Sequence, residues 1–407
     1  MKSKSKNLFN YIYIFFAIQL SGNMFFVAQN KQLNYIFFFI LTLIIYLFFC
    51  KYRKIEREDF YFFIVILLCI LGSYIFSPLE HISSYLHIIL CLLCAYLFTR
   101  IYDIQTFCHY YVNILAFLAM ISVVLFFFLL HNTALLNLFS QIPGSTMVVE
   151  EQGPRTYVNI FFVYTYMVTY GFGESYASAF DRNNGIFWEP GAYQFFLLLA
   201  LILLNEFENN KERRLFLNII FFITLATTGS TTGLITLIII FIGYRKKILH
   251  FNNMPIKILF LLLITSILIY CIFTNYSFGL YNTILTAYNK IAGTTNYGSA
   301  FNRTGFESLG HIFDSFKTVI FGHGVTGMNS IDTTYHNTYL YYGLSIGLPF
   351  MICFVSKYYL RCKYIFKYSF CSWLCIMLSF SSESYALYII PLSFLFFVKK
   401  ASLMSNN

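Results

Sequence analysis

Charge is scarce in this sequence. Asp, Glu, Lys and Arg make up 11% of its 407 residues, against 58% hydrophobic residues, and the mean hydropathy is +0.67. So little polar surface cannot keep a chain of this length in water as two or three soluble domains. Metal-binding and nucleotide-binding patterns are missing too. There is no Asp-x-Asp pair of the kind that holds a metal on a nucleotide sugar, no His/Cys/carboxylate set with zinc spacing and no Gly-rich nucleotide loop. Neither a divalent ion nor another cofactor is implied. No internal repeat of roughly 20–50 residues is visible, and no appended soluble domain is expected. The ten cysteines fall in apolar runs or at their cytoplasmic ends, which leaves no disulfide framework on the outer face. Cys91 and Cys94 form a CxxC inside an apolar run, where a pair of small hydrophobes is expected rather than a redox or zinc site.

What the chain does have is apolar runs of roughly 14 to 23 residues, and each long one can cross a ~30 Å hydrocarbon core as a helix. The expected fold is an all-α polytopic membrane protein. Twelve spans are placed near 8–29, 34–50, 60–76, 83–99, 109–130, 186–204, 215–229, 231–244, 258–275, 337–356, 369–381 and 384–398. With both termini in the cytoplasm, the inner segments hold 21 of the 27 Lys and Arg, and the outer ones only Lys31, Arg155, Arg182, Lys290, Arg303 and Lys317. That asymmetry obeys the positive-inside rule. The net charge of +10 therefore reports topology and contact with anionic inner-leaflet lipid, and gives no reason to invoke nucleic acid. The basic N-terminus leads into an apolar stretch without a clear cleavage site, expected to be an uncleaved first helix.

Two outward segments are long, 131–185 and 276–335. The semi-apolar centre of the first, NIFFVYTYMVTYGFG, is expected to be membrane-associated or re-entrant, because one more crossing would invert every later loop. Ten of the 17 acidic residues lie on the outer side.

Three outer clusters could carry chemistry. In DRNNGIFWEPGAYQ (181–194), Glu189 precedes Pro190, and proline suits the first helical turn. A helix starting there turns free N–H groups and a positive dipole end outward, favouring a carboxylate or bound anion. Trp188 and Tyr193 are interfacial anchors. The plainer alternative is that Glu189 complements the helix end while Arg182 pairs with Asp181 in water. FNRTGFE (301–307) places Arg303 in an exposed turn, and FGHGVTG (321–327) sets His323 between glycines that allow close backbone approach. In YHNTYLYYGLSIG, His336, Leu340, Gly343 and Gly347 share a stripe, so His336 caps a GxxxG face that should pack tightly. TTGSTTG (227–233) is an outer hairpin that turn chemistry explains without function. Glu383 reads as a solvated loop charge.

Taken in order, RNNGIFWEPGAYQ, TTGSTTG, FNRTG, FGHG and YHNTYLYYGLSIG resemble the Wzy-type O-antigen polymerases, over roughly the C-terminal 225 residues. The resemblance implies a GT-C-like fold and a metal-independent, inverting glycosyltransferase. Such an enzyme joins undecaprenyl diphosphate-linked repeat units, donor and acceptor both lipid-linked, on the periplasmic face of the bacterial inner membrane, with a chain-length regulator protein as a candidate partner. It implies that Arg182 and Arg303 hold the departing diphosphate, His336 being a further contact or proton carrier. Glu189 becomes either the base for the acceptor hydroxyl or the group that holds Arg182; His323 and Asn337 are further candidates. O-antigen ligases share this architecture but usually carry an arginine after the serine of the span-seven hairpin, where this chain has Ser230 followed by Thr231. A flippase or transporter would show cations within its spans and lack long outer loops.

Overall fold

The structure, a computed structural model, describes residues 2–23, 25, 31–49, 56–77, 81–130, 133–149, 155–169, 182–248, 310–325 and 337–398. Fourteen helices and three strands lie among them. The first part of the chain supplies α1 (Lys2–Leu20), α2 (Lys31–Phe49), α3 (Arg57–Phe76), α4 (Ile82–Ile101), α5 (Ile104–Leu130) and α6 (Thr133–Ser140). Then come β1 (Thr146–Val149), β2 (Arg155–Ile160) and β3 (Tyr164–Thr169), followed by α7 (Pro190–Phe207), α8 (Lys211–Thr227) and α9 (Thr231–Ile248). The last part holds α10 (Phe316–Phe321), α11 (Thr338–Ser345), α12 (Leu348–Ile365), α13 (Ser369–Ser382) and α14 (Ile389–Ser393).

Four of the described helices, α3, α4, α5 and α7, are long and apolar enough to cross a membrane, and shorter apolar helices accompany them. Their outward faces are apolar as well. On α2 the exposed residues are Leu33, Ile36, Phe37, Ile40, Ile44, Leu47 and Phe48, a stripe at helical spacing that water would not tolerate and acyl chains would. The chain is thus a mostly helical, membrane-embedded protein.

It divides into two compact units, each assembled from two stretches of sequence: Met1–Gln29 with Cys108–Ala292, and Asn30–Phe107 with Gly293–Asn407.

In the first unit α7 is the central element. Every residue from Pro190 to Asn205 is buried, as expected of a helix apolar on all sides, and α8 and α9 pack against it. Polar cross-links fix the register: Asn205 and Asn218 exchange amide hydrogen bonds at 2.8 and 3.2 Å between α7 and α8, and the Tyr111 hydroxyl donates to the Phe196 carbonyl at 3.0 Å. Between α6 and α7 the described residues form an antiparallel sheet of order β1-β2-β3. It rests on the end of α5, where Phe126 and Leu129 enclose Ile160 and Tyr164.

In the second unit α4 packs against α2 and α14, and two departures from the expected spans arise. The run 337–356 is two helices, because Gly347 takes a φ of 107° and Pro349 opens α12. A Cβ on Gly347 would stand 2.3 Å from the Ile320 carbonyl oxygen, so glycine is required for backbone to meet backbone there. Gly343 packs on Ile312 and Met351; the stripe does pack tightly, but not as one straight helix. The run 384–398 contains only the short α14, buried throughout. In the first unit, α1 ends at Leu20 and turns at Ser21–Gly22, short of the expected residue 29. Glu383 is 8% exposed and is not a solvated charge. The ninth expected span, 258–275, lies outside the described residues. Cys91 and Cys94 are buried free thiols in α4, packed as small hydrophobes.

Candidate functional site

The candidate site in the first unit is built where the ends of α1, α7 and the α8–α9 turn come together. Asn183 is the joint. Its backbone N–H donates to the Thr227 carbonyl at 3.0 Å, and its side-chain amide donates to Thr227 Oγ1 at 2.9 Å and Ser122 Oγ at 3.2 Å. Its Oδ1 accepts from the Gly185 N–H at 2.9 Å, an Asx-type turn. Gly185 has a φ of 56°, and a Cβ there would enter the Tyr193 ring at 2.6 Å. Tyr193, on the first turn of α7, shares a 2.9 Å hydrogen bond with Ser122. It is therefore a buried strut rather than an exposed interfacial anchor.

Arg182 leads this segment. Its Nε donates to the Thr228 carbonyl at 2.8 Å, and its side chain lies over Gly229, whose missing Cβ would otherwise stand 3.3 Å from Nε. The TTGSTTG hairpin, with Gly229 at a φ of 55°, thus does more than turn the chain: it seats the arginine. Beside it Ser230 Oγ donates to Gln194 Oε1 at 3.3 Å.

The end of α1 closes the site. Gly22 lies flat on Phe187, where a Cβ would be 2.2 Å from the ring, and its carbonyl accepts from the Trp188 N–H at 3.3 Å. Gln19 and Asn23 flank it, one helical turn apart, the Asn23 N–H donating to the Gln19 carbonyl at 2.8 Å. Gln19 is 1%, Asn23 0% and Asn184 2% exposed. Yet Gln19 Oε1, Asn23 Nδ2 and Asn184 Oδ1 have no hydrogen-bond partner among the described residues. An unsatisfied buried amide atom costs roughly 1–3 kcal/mol, so three where two short segments meet point to polar atoms reserved for something else. Sequence patterning gave no sign of Gln19 or Asn23, because both sit at the end of an apolar run that reads as membrane helix.

Glu189 is the N-cap of α7, as the proline predicted, with extended backbone and no capping bond from its side chain; its carbonyl accepts from Tyr193 N–H at 3.1 Å. Asp181, Arg303 and His336 lie outside the described residues.

His323 and Asn337 belong to the second unit. His323 Nε2 donates to the His311 carbonyl at 2.8 Å and stands 3.8 Å from Asp314, which meets His311 Nδ1 at 3.1 Å. The glycine before it allows a close backbone approach. Gly322, at a φ of 72°, presses on the Leu344 and Ser345 carbonyls, and the His323 N–H donates to the Leu344 carbonyl at 2.6 Å. Asn337 caps α11, its Oδ1 accepting from the Leu340 N–H at 2.8 Å.

The second unit also holds an ionic group whose cations the charge count placed in the inner segments. Asp59, in the first turn of α3, is fully buried. Arg100 reaches its Oδ2 at 2.6 Å, while Lys357 at 2.7 Å and Arg361 at 2.6 Å share its Oδ1. Arg361 also meets Glu56 at 2.7 Å. Arg100 from the last turn of α4, with Lys357 and Arg361 from α12, thus converges on a carboxylate in the first turn of α3; the helix dipoles favour Arg100 and Asp59 at those ends. Among the described residues no His/Cys/Asp/Glu group could hold a metal ion.

Compared with known proteins, the chain matches no family model, no curated protein and no solved structure.

Proposed function

We propose that this chain is an O-antigen polymerase, a metal-independent membrane glycosyltransferase. It would extend undecaprenyl diphosphate-linked repeat units at the periplasmic face of the bacterial inner membrane, with both termini cytoplasmic. The observation that carries the reading is the polar end of the first unit. A guanidinium is seated on the α8–α9 turn, and the same unit buries three amide groups with unused hydrogen-bonding capacity in the segments that follow α1 and precede α7. Guanidinium matches phosphate oxygens in a two-pronged fashion, and amides both donate to and accept from sugar hydroxyls. A lipid-linked glycan diphosphate presents both chemistries at the edge of a membrane.

In this reaction the bond between the anomeric carbon and the diphosphate oxygen breaks, and the electron pair leaves with the diphosphate. The acceptor hydroxyl oxygen bonds to the same carbon, and its proton passes to a base. Arg182, with Arg303, would stabilise the charge growing on the leaving group. Glu189, at the α7 N-cap, is the candidate base or the holder of Arg182, and His336 a proton carrier or further diphosphate contact.

Deleting the protein from its native host and running the surface polysaccharide on a gel tests the class. Loss of a polymerase leaves lipid core bearing a single repeat unit, loss of a ligase leaves no attached repeats, and loss of a flippase traps units inside. Within the class, Arg182→Ala, Arg303→Ala and His336→Ala should each abolish the ladder at normal protein abundance. Intact ladders from these variants would reject the assignment.

A further inference from the structure

The hairpin joining β2 to β3 is built against the usual rules of turns. Ile160 pairs with Tyr164, so Phe161, Phe162 and Val163 make the tip. Phe161 and Phe162 both adopt left-handed backbone, with φ of 50° and 58°, a conformation that turn chemistry normally assigns to Gly or Asn and that bulky residues avoid. The strain is not accidental slack. The Phe162 N–H donates to Asn159 Oδ1 at 2.9 Å, its carbonyl accepts from Gln19 Nε2 at 2.8 Å, and the Val163 N–H donates to the Ile160 carbonyl at 3.0 Å. What this held geometry displays is apolar: Phe161 is 70% and Phe162 46% exposed. Phe161 meets Phe139 of α6 edge-on at 6.0 Å, and beyond it Leu138 and Ile142 are exposed too.

Two observations decide what covers this patch. Its base is continuous with a lipid-facing surface: α5 is apolar enough to cross a membrane, its exposed residues Phe117, Met120, Val124, Phe127 and Phe128 form one stripe, and the sheet sits on the end of that helix through Phe126 and Leu129. The patch also lacks charge. No Asp, Glu, Lys or Arg occurs in 133–149 or 156–169, whereas surfaces that meet water or a protein rim carry them.

We propose that the Phe161–Phe162 tip, together with Leu138 and Ile142, is a foot that inserts into the headgroup–acyl boundary of the bilayer, at the level where α1 and α5 end. Aromatic residues partition to that boundary, and their insertion offsets the backbone strain. The foot is wired to the candidate site: the Thr165 N–H donates to the Gly185 carbonyl at 2.6 Å and Thr165 Oγ1 to the Ile186 carbonyl at 3.3 Å. Lipid contact at the tip therefore sets the height of the Arg182–Glu189 segment above the membrane. The inference does not depend on the reaction proposed above.

The test uses the full chain in nanodiscs made with lipids brominated near the top of the acyl chain. In Phe161→Trp, the emission gained over the parent's own two tryptophans should be quenched by the bromolipid at least about twofold, and hardly by aqueous iodide, as an interfacial aromatic requires. Leu138→Trp gives the same readout from the helix side of the patch, should the first variant misfold. Quenching by iodide with indifference to bromolipid would place the tip in water; protection from both would mean that a protein surface or a second copy covers it. Either result overturns the proposal.

Discussion

Arg182 and Thr228 are joined by a 2.8 Å hydrogen bond from guanidinium Nε to backbone carbonyl, across 46 residues of sequence. The acceptor is main chain, so the side chain of Thr228 is dispensable to the contact, while the next residue is not. A methyl group on Gly229 would lie 3.3 Å from Nε on a backbone already at a φ of 55°. Gly229→Ala should therefore displace the arginine by a few tenths of an ångström and, under the proposed function, lower polymer formation roughly tenfold, since small misplacements at a reacting centre are costly. Thr228→Ala keeps the accepting carbonyl and loses the Oγ1 bond to the Leu225 carbonyl at 2.7 Å, so it should lower polymer formation less than the glycine variant does. Ladder intensity normalised to membrane-protein abundance checks both.

Asp59 is the only carboxylate at the centre of the buried ionic group among the described residues, while Glu56 stands at its margin with a side chain 34% exposed. Asp59→Asn would strand the cations and should destabilise the protein by about 3–5 kcal/mol, the usual result of removing one partner from a buried ion pair. Glu56→Gln should cost no more than about 1 kcal/mol. A fall in detergent-solubilised melting temperature that is large for the first and small for the second is the expected outcome. Equal falls would mean that the network is not organised around Asp59.

Asn337 offers a way to separate a structural role from a chemical one. As the N-cap of α11, its replacement by Ala should cost about 1 kcal/mol, and Ser or Asp should restore most of it. Ladder intensity should then track protein abundance through the series. Lost activity at full abundance, unrescued by Ser, would instead place Asn337 against substrate.

Gly347→Ala should be among the most damaging small substitutions in the second unit, because the added carbon meets backbone atoms of Ile320 and Phe321 within 3 Å, and backbone cannot yield as a side-chain tip can. Gly310 has nothing within 4 Å of the same position, so Gly310→Ala should change stability by less than about 0.5 kcal/mol. Thermal unfolding of the purified variants compares them directly.

Much of the helical frame was legible in the sequence. Hydropathy placed α2, α3, α4, α5, α7, α8, α9 and α13 to within a few residues, and Pro190 marked the start of α7. These features survive because a long apolar run has few alternatives in a membrane, where every backbone N–H must be satisfied within the segment. The break at Gly347 was hidden, since GLSIGLPF is as apolar as a continuous span. Only the approach of the Ile320 carbonyl, a contact between distant stretches, requires the positive φ. The short α14 was misjudged for a related reason: hydropathy does not distinguish a run buried by protein from one buried by lipid.

The candidate site divides in the same way. Arg182, Glu189 and the α7 dipole end could be singled out because charge at the lip of an apolar run is rare and conspicuous. That Thr228 would seat the arginine, that Gln19, Asn23 and Asn184 would be buried with an amide atom unused, and that Asp59 would gather three cations could not. Composition and periodicity act along the chain, and by themselves they determined that this protein lives in a membrane and where most of its long helices begin. Pairing of polar groups depends on distance in space; folding alone decided which carbonyl met which guanidinium and which buried amides were left with capacity to spare.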